Sequence, residues 1–319
     1  MLSFWVTVGT YAQVTTKSHR MDRELNISYD NDLYFGTDRY YTSGLDIIHR
    51  RLLKANSPWF QRFKSRRNDS TKVIAGFHYG HKIFTPYKIK RKNVEDFDRP
   101  YAGWHYLKLH MQNFPGANSM NSFSLELGVV GEMSGIGNFQ EWWHEKLSFP
   151  QPQGWKYQVG NEVILNLVYK RSMQWSPVRR IGLYSDTEIK LGTGMNRATQ
   201  SAELRYGKAN RLFNSAKANS RLSHKLPVVG NNDPEEEEGY LFYGIEGQYV
   251  LSNIFIEGSL LRAETPHTEE LEDVVIVRKW GFVYSNYYTT FSFTVYRMTP
   301  ENKGARKHRF INLNLAFRF

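Results

Sequence analysis

The sequence predicts an all-β fold: a single antiparallel transmembrane β-barrel of about 12 strands, with a short helix in an extracellular loop. Three observations predict it. Apolar and polar residues alternate in short segments along most of the 319 residues, and aromatic residues make up 15% of the chain. After the first few residues, no apolar run approaches the roughly 18–20 residues of a membrane helix, whereas a membrane β-strand needs only about 10 alternating residues.

The composition excludes several other classes of protein. The chain has 42 Lys and Arg against 31 Asp and Glu, a net charge of +11, and no Cys. The aromatic content excludes a disordered chain, and the absence of Cys excludes thiol catalysis, Cys-ligated zinc and iron–sulfur clusters. The basic residues are dispersed and no nucleic-acid-binding motif is present, so we expect no nucleic-acid partner. The positive charge suits an anionic membrane leaflet at least as well.

The N-terminus resembles a secretory signal. Residues 2–8 are apolar, and Thr10-Tyr11-Ala12 loosely fits a small-residue cleavage site, which predicts a signal peptide over residues 1–12. No basic residue precedes the apolar stretch, so either the start is truncated or this is an ordinary buried first strand. Residues 13–319 are then predicted to form one barrel domain.

The alternation predicts twelve strands. Their predicted ranges are 24–32, 40–53, 72–84, 100–113, 120–131, 157–171, 180–191, 197–208, 239–250, 274–286, 289–298 and 308–319. The strand at 239–250 and the segment 253–258 are ambiguous, which leaves ten or fourteen strands open. An even number places both termini on the periplasmic side. The polar segment 209–238 is predicted to be a solvated loop on that side.

The last strand carries the clearest pattern. The odd positions from 311 to 319 are Ile, Leu, Leu, Phe and Phe, whereas the even positions between them are Asn, Asn, Ala and Arg. Alternation alone also fits a soluble sandwich or barrel, in which the apolar face points inward. A terminal Phe319 is typical of the closing strand of bacterial outer-membrane barrels, which the barrel-assembly machinery recognises. Together with the repetition along the whole chain, it favours the membrane barrel with that machinery as a partner.

Polar motifs converge on one rim of the predicted barrel. Strand parity places five clusters at the extracellular end, namely Asn31-Asp32, residues 40–45, residues 84–86, residues 98–104 and His144. The segment 137–147 is predicted to be a helix, because Phe139, Trp142, Trp143 and Lys146 recur at helical spacing. On such a helix Gln140 and His144 share a face. A single His beside two Trp is more often a packing residue, but polar groups gathered on the loops of a rigid barrel favour a functional role.

These clusters resemble the outer-membrane lipid A 3′-O-deacylase family. The resemblance is carried, in order and with matching spacing, by Asn31-Asp32, Asp38-Arg39-Tyr40-Tyr41-Thr42-Ser43-Gly44-Leu45, Asp98-Arg99-Pro100-Tyr101-Ala102-Gly103, Leu127-Gly128-Val129-Val130-Gly131 and Gln140-x-x-x-His144. It runs from about residue 24 to the last strand. It implies a twelve-stranded barrel and a calcium-dependent esterase that removes the 3′-linked acyloxyacyl chain of lipid A in lipopolysaccharide.

The resemblance also implies roles for individual residues. His144 would be the general base, and calcium would take the place of an oxyanion hole. Asp32 and Thr42 would help form the calcium site, with Asn31 and Gln140 near the ion and the reaction. The family has a basic residue after the third strand for a sugar or phosphate contact, a role for which Lys88, Lys90, Arg91 and Lys92 compete here. Of these, Lys88, Lys90 and Arg91, together with Arg99, are the predicted substrate-binding residues. The family's acidic and Tyr residues after the His are not matched by the segment 147–150.

The chemistry is reasonable by itself, because an ester hydrolase needs a stabilised oxyanion and a base with a pKa near neutrality. No Gly-x-Ser-x-Gly motif supports a serine esterase. Two alternatives stay open: a non-catalytic outer-membrane porin or scaffold, and an outer-membrane phospholipase, although no Ser-His-Asn arrangement can be placed. We expect a monomer that contacts outer-membrane lipids.

Overall fold

Twelve antiparallel strands close into one barrel in a computed structural model of the chain, which describes residues 21–65, 72–178, 180–219, 221–222, 237–259 and 265–319. Neighbours in sequence pair throughout, and β1 closes the barrel against β12. The strands are β1 (Arg23–Asn31), β2 (Tyr40–Leu52), β3 (Val73–Thr85), β4 (Ala102–Gly116), β5 (Ser119–Val130), β6 (Glu162–Val178), β7 (Ile181–Gly192), β8 (Met195–Lys208), β9 (Glu238–Asn253), β10 (Val274–Ser285), β11 (Thr289–Met298) and β12 (His308–Arg318). The predicted fold class and strand number are confirmed.

Among the described residues, three short α-helices lie outside the wall strands: α1 (Pro58–Phe63), α2 (Ile136–Lys146) and α3 (Ile254–Glu257). Helix α2 matches the helix predicted over 137–147. In the part of the chain that the structure describes, no helix is long and apolar enough to cross a membrane. The predicted signal peptide, residues 1–12, lies outside the described residues.

Two differences from the predicted strands lie at the start of β6 and directly after β9. Strand β6 begins at Glu162 rather than at residue 157, because the N–H of Val159 donates to the carbonyl of Tyr101 (2.9 Å) and the preceding residues pack over the rim. The ambiguous segment after β9 is not a strand. It forms the single turn α3, whose apolar side chains are buried inside the barrel.

The two faces of the wall differ in polarity as a membrane barrel requires. In β1 the side chains of Leu25 and Ile27 point outward and are exposed, whereas Glu24 and Asn26 point inward and are buried. Charge pairs line part of the lumen. Glu24 pairs with Arg50 (2.7 Å), and equivalent pairs recur around the interior, including Lys190–Glu126 (2.9 Å), Arg205–Glu203 (2.6 Å) and Arg318–Glu24 (2.8 Å).

We call the end of the barrel where β1 begins and β12 ends the terminal end. Part of the segment predicted to be a solvated loop folds into it. Leu212, Ala218 and Leu222 are buried against apolar side chains of the wall, and Lys217 reaches Glu203 in the lumen (3.0 Å). The prediction for 209–238 is therefore wrong for this part, because its apolar side chains have an apolar pocket inside the barrel to fill.

We call the opposite end, with residues 32–39 and 131–161, the loop end. Here α2 packs closely against the wall. A Cβ on Gly103 would lie 2.4 Å from the Cβ of Ile136, so only glycine lets the first turn of α2 approach β4. Ile136 then joins a small core with Ile83, Tyr101 and Trp155, which holds α2 in place above the strands.

Candidate active site

Helix α2 presents its aromatic stripe outward and its polar residues inward. Phe139, Trp142 and Trp143 are 40–49% exposed, whereas Gln140 and His144 are only 3% and 5% exposed. Aromatic rings are common at membrane interfaces, where an apolar body and a polar edge are both accommodated. The buried polar side chains have no such explanation and point to a function.

A cavity of about 490 Å³ lies between α2 and the outer surface of the first three strands. Its walls are mainly apolar, and its polar side chains come from three separate parts of the chain. The five residues Asn31, Asp32, Thr42, Gln140 and His144, for which the sequence predicts a role in catalysis or metal binding, all line this cavity. The structure therefore brings the predicted residues together, although they span more than 110 positions.

Both ring nitrogens of His144 face oxygen atoms. Nδ1 lies 2.7 Å from the carbonyl oxygen of Pro150, and Nε2 lies 3.3 Å from a carboxylate oxygen of Asp38. Because a carbonyl only accepts hydrogen bonds, Nδ1 must carry a proton and donate it. Nε2 is then the basic nitrogen, and it faces the carboxyl group of Asp38.

Asp38 belongs to a short hydrogen-bonded chain. Gln140 donates from Nε2 to the Asp38 carboxylate (3.4 Å) and accepts from the indole N–H of Trp155 (2.9 Å). Burial raises the pKa of the Asp38 carboxyl above its ordinary value, and the neighbouring His144 opposes that shift. Gln140 is thereby fixed on the buried face of α2, between Asp38 and Trp155.

Asp32 is the most buried carboxylate of the cavity. It is 1% exposed, and its Oδ2 accepts from the Thr37 hydroxyl (2.7 Å) and from the backbone N–H of Arg39 (3.0 Å). No described cationic side chain pairs with it. Burial raises its pKa to about 8, and the nearby charge of Asp38 adds to this shift. A buried carboxylate without a counter-charge is a place where a cation would be stabilised.

The donors around Asp32 fit a hard cation such as calcium. Calcium prefers oxygen ligands, both carboxylate and neutral. Among the described residues no group of three or more His, Asp or Glu could hold a metal, so a site here would combine one carboxylate with neutral oxygens. The Thr42 hydroxyl makes only a long hydrogen bond to the Ile83 carbonyl (3.4 Å). The side-chain oxygens of Asn31 and Gln140 each accept one hydrogen bond, which leaves each a second lone pair.

A second cavity, of about 480 Å³, adjoins the first and shares Leu33, Thr37, Asp38 and Phe149 with it. Its basic lining residues are Arg39, Lys88, Lys90 and Arg91. Three of the four predicted substrate-binding residues are therefore next to the candidate active site. Arg99 lines neither cavity. It is 1% exposed, pairs with Glu301 (2.6 Å) and packs over the Phe84 ring, so its charge is already neutralised within the barrel.

A family model and one solved structure agree with this architecture. A family model described as "Outer membrane protein LpxR" matches residues 1–319. The chain belongs to the LpxR family. The solved structure of LpxR from Salmonella typhimurium is 17% identical with a TM-score of 0.70, and the match covers 93% of this chain and 100% of that one. The β domain of the Bordetella autotransporter BrkA is 7% identical with a TM-score of 0.44, covering 93% and 97%. No curated protein sequence matches the chain.

Membership of the LpxR family confirms the resemblance drawn from the motifs. It supports an outer-membrane location and a lipid A deacylase function, with lipopolysaccharide as a fitting substrate.

Three features of this LpxR-family site escaped the sequence analysis. Asp38 is the first residue of one of the family motifs, but nothing else in the sequence indicated that it belongs to the site. His81 lines the cavity from the outer face of β3, with its ring centroid 5.5 Å from that of Phe139. The alternating pattern of β3 did not mark it as different from its neighbours. The carbonyl of Pro150 that orients His144 is a backbone group, which no residue type reveals.

Proposed function

We propose that this chain hydrolyses the ester that links the 3′-O-acyloxyacyl chain to lipid A, with calcium as its cofactor and its active site on the extracellular side of the outer membrane. One observation carries the proposal: the cavity that collects Asp32 and His144 opens on the outer surface of the barrel, between α2 and the wall. A water-soluble substrate would be expected in the lumen. A lipid reaches an external cavity by lateral movement within the membrane.

The orientation is supported by the termini and by the loops. The chain has twelve strands, and in single-chain bacterial barrels an even number leaves both termini in the periplasm. The loop end carries the long segment 131–161 with α2, as extracellular loops of such barrels do. On this orientation the cavity faces the outer leaflet, where lipid A resides.

His144 would act as the general base through Nε2. The Pro150 carbonyl holds the proton on Nδ1, so Nε2 can accept a proton from water as the water oxygen adds to the ester carbonyl carbon. The Asp38 carboxylate, 3.3 Å from Nε2, stabilises the imidazolium that forms. The imidazolium then returns the proton to the sugar oxygen as the ester C–O bond breaks, which releases the fatty acid and a free hydroxyl.

Asp32, Thr42, Asn31 and Gln140 would hold the calcium ion. When bound, the ion supplies positive charge for the oxygen that becomes negative during the reaction. The same residues order the polar end of the cavity, and the aromatic side chains of Phe139 and Trp143 help keep water away from it.

The candidate active site has an apolar cavity and an adjoining basic cavity. This pair fits a lipid with an anionic headgroup. Leu45, Ile83 and the rings of α2 would contact the acyl chain. Lys88, Lys90 and Arg91 in the adjoining cavity would bind a phosphate or sugar oxygen of the headgroup.

Expression of the chain in a bacterium that makes hexa-acylated lipid A tests the proposal. Mass spectrometry of extracted lipid A should show loss of one acyloxyacyl group, and EDTA should prevent this loss until calcium, rather than magnesium, is restored. Trp142→Phe is a matched control, because Trp142 lies on α2 but does not line the cavity. Unchanged lipid A from a folded, calcium-supplied barrel would favour the scaffold alternative, and release of phospholipid fatty acids would favour the phospholipase.

A further inference from the structure

Three arginines stand side by side on the outer face of the barrel near the loop end. Arg278 on β10 is directly opposite Arg297 on β11, which is in turn directly opposite Arg309 on β12. All three are exposed. We call them the arginine row. Directly opposed side chains on one face of a sheet have Cβ atoms only about 4.5–5.5 Å apart, so three positive charges are held close together.

The described part of the chain does not neutralise this charge. Like charges directly across a strand pair are destabilising, yet none of the three arginines forms a salt bridge with any residue that the structure describes. The guanidinium of Arg309 packs over the ring of Phe35 (4.6 Å), a contact that adds no negative charge. An anion from outside the chain would convert this repulsion into attraction.

The depth of the row matches the headgroup layer of a membrane. The next two rows of outward-facing side chains, counted from the arginine row toward the middle of the wall, are apolar. The first consists of Trp280, Val295 and Ile311, and the second of Phe282, Phe293 and Leu313. The arginine row is therefore the first charged row beyond the apolar band. Phosphate groups of lipids lie at this level.

A small cavity is built around part of the row. It has a volume of about 180 Å³, and its lining residues are Ile276, Arg278, Arg297, Met298, Thr299 and Lys307. Lys307 adds another exposed positive charge. The planar guanidinium forks of two arginines match the oxygens of a phosphate, and the aliphatic lining suits the lipid below it. None of these residues lines the catalytic cavity.

We propose that the arginine row binds the phosphorylated headgroup of a lipopolysaccharide molecule other than the one being hydrolysed. The row ends at Phe35, two positions after Leu33 of the catalytic cavity, so the bound lipid would lie beside the entrance to that cavity. The proposal uses the orientation given above, but it does not require that the chain hydrolyses lipid A.

Counting bound lipid molecules tests this second site. The His144→Ala protein, which should not consume the lipid, is mixed in detergent with bisphosphorylated lipid A and examined by native mass spectrometry. We expect two bound lipids, and Arg297→Gln in the same background should weaken binding of one of them about tenfold, as for loss of a charge-assisted hydrogen bond. Arg51→Gln is the matched control. Arg51 is also exposed and lies directly opposite a second arginine, Arg23, but this pair is at the terminal end of the barrel.

Two results would overturn the proposal: equal lipid binding by the Arg297→Gln variant, or equal binding of dephosphorylated lipid A. A single bound lipid that the Arg297→Gln change removes would keep the arginine row and count against the catalytic cavity instead. Displacement of the second lipid by millimolar inorganic phosphate would assign the row to free phosphate instead. Heat-modifiable gel migration checks that each variant has folded. If Arg297→Gln does not fold, Arg278→Gln tests the same cavity, and Arg297→Lys should retain part of the binding because it keeps the charge.

Discussion

The proposed calcium site should release a proton when it takes up the ion, and the environment of Asp32 sets the amount. Burial raises the pKa of that carboxyl to about 8, so at pH 7 about 90% of the molecules carry the proton there. A calcium ligand must be deprotonated, so each bound ion should release about 0.9 proton at pH 7 and about 0.1 at pH 9. The apparent affinity should then rise about tenfold per pH unit up to pH 8 and level off above it.

The assay is isothermal titration calorimetry of the detergent-solubilised barrel in two buffers of different ionisation enthalpy, each at pH 7 and pH 9. The difference in heat between the buffers gives the number of protons released. Asp32→Asn should bind calcium weakly and without this proton release. Asp38→Asn leaves Asp32 in place and should still bind calcium with proton release, but with less release at pH 7, because the charge of Asp38 contributes to the raised pKa of Asp32.

Equal heats in both buffers at pH 7, with calcium still bound, would refute the reasoning, as would an Asp32→Asn protein with unchanged affinity. The same pKa has a consequence for stability. Because the pKa in the folded barrel lies above the unfolded value of about 3.9, protonation of Asp32 stabilises the calcium-free barrel at acid pH. This contribution is lost as the pH rises through about 8.

Three further predictions concern the base, its partner and the lumen. His144→Ala should lower deacylation at least about 100-fold without changing heat-modifiable migration on gels, and retained activity would remove it from the role of base. Asp38→Asn should lower kcat about 10- to 100-fold with little change in KM, because the amide cannot stabilise an imidazolium; a raised KM with unchanged kcat would instead indicate substrate binding. Glu24→Gln should lower the free energy of unfolding by about 3–5 kcal/mol, because it leaves Arg50 and Arg318 buried without a counter-charge; an unchanged urea midpoint would contradict this.

Most strands of the barrel could be predicted because each strand's pattern lies within its own short segment of sequence. A strand with one face toward lipid and one toward a polar lumen must alternate with a period of two, and β12 shows this pattern in the sequence itself. Strand parity then places Asp32 and His144 at the same end without any coordinates. The start of β6 and the turn α3 could not be predicted, since both depend on packing against distant residues rather than on alternation.

The sequence by itself determined the fold class and the end of the barrel where the polar motifs meet, because each follows from periodicity and spacing. It favoured twelve strands but left ten or fourteen open. Only the tertiary structure decided that α2 turns His144 toward the wall, that Asp38 faces its Nε2, and that the cavity lies on the outer surface of the barrel rather than in the lumen. The physical reason is that these contacts join residues about 100 positions apart. Their distances are set by closure of the barrel and by the close approach of α2 at Gly103, which no local pattern records.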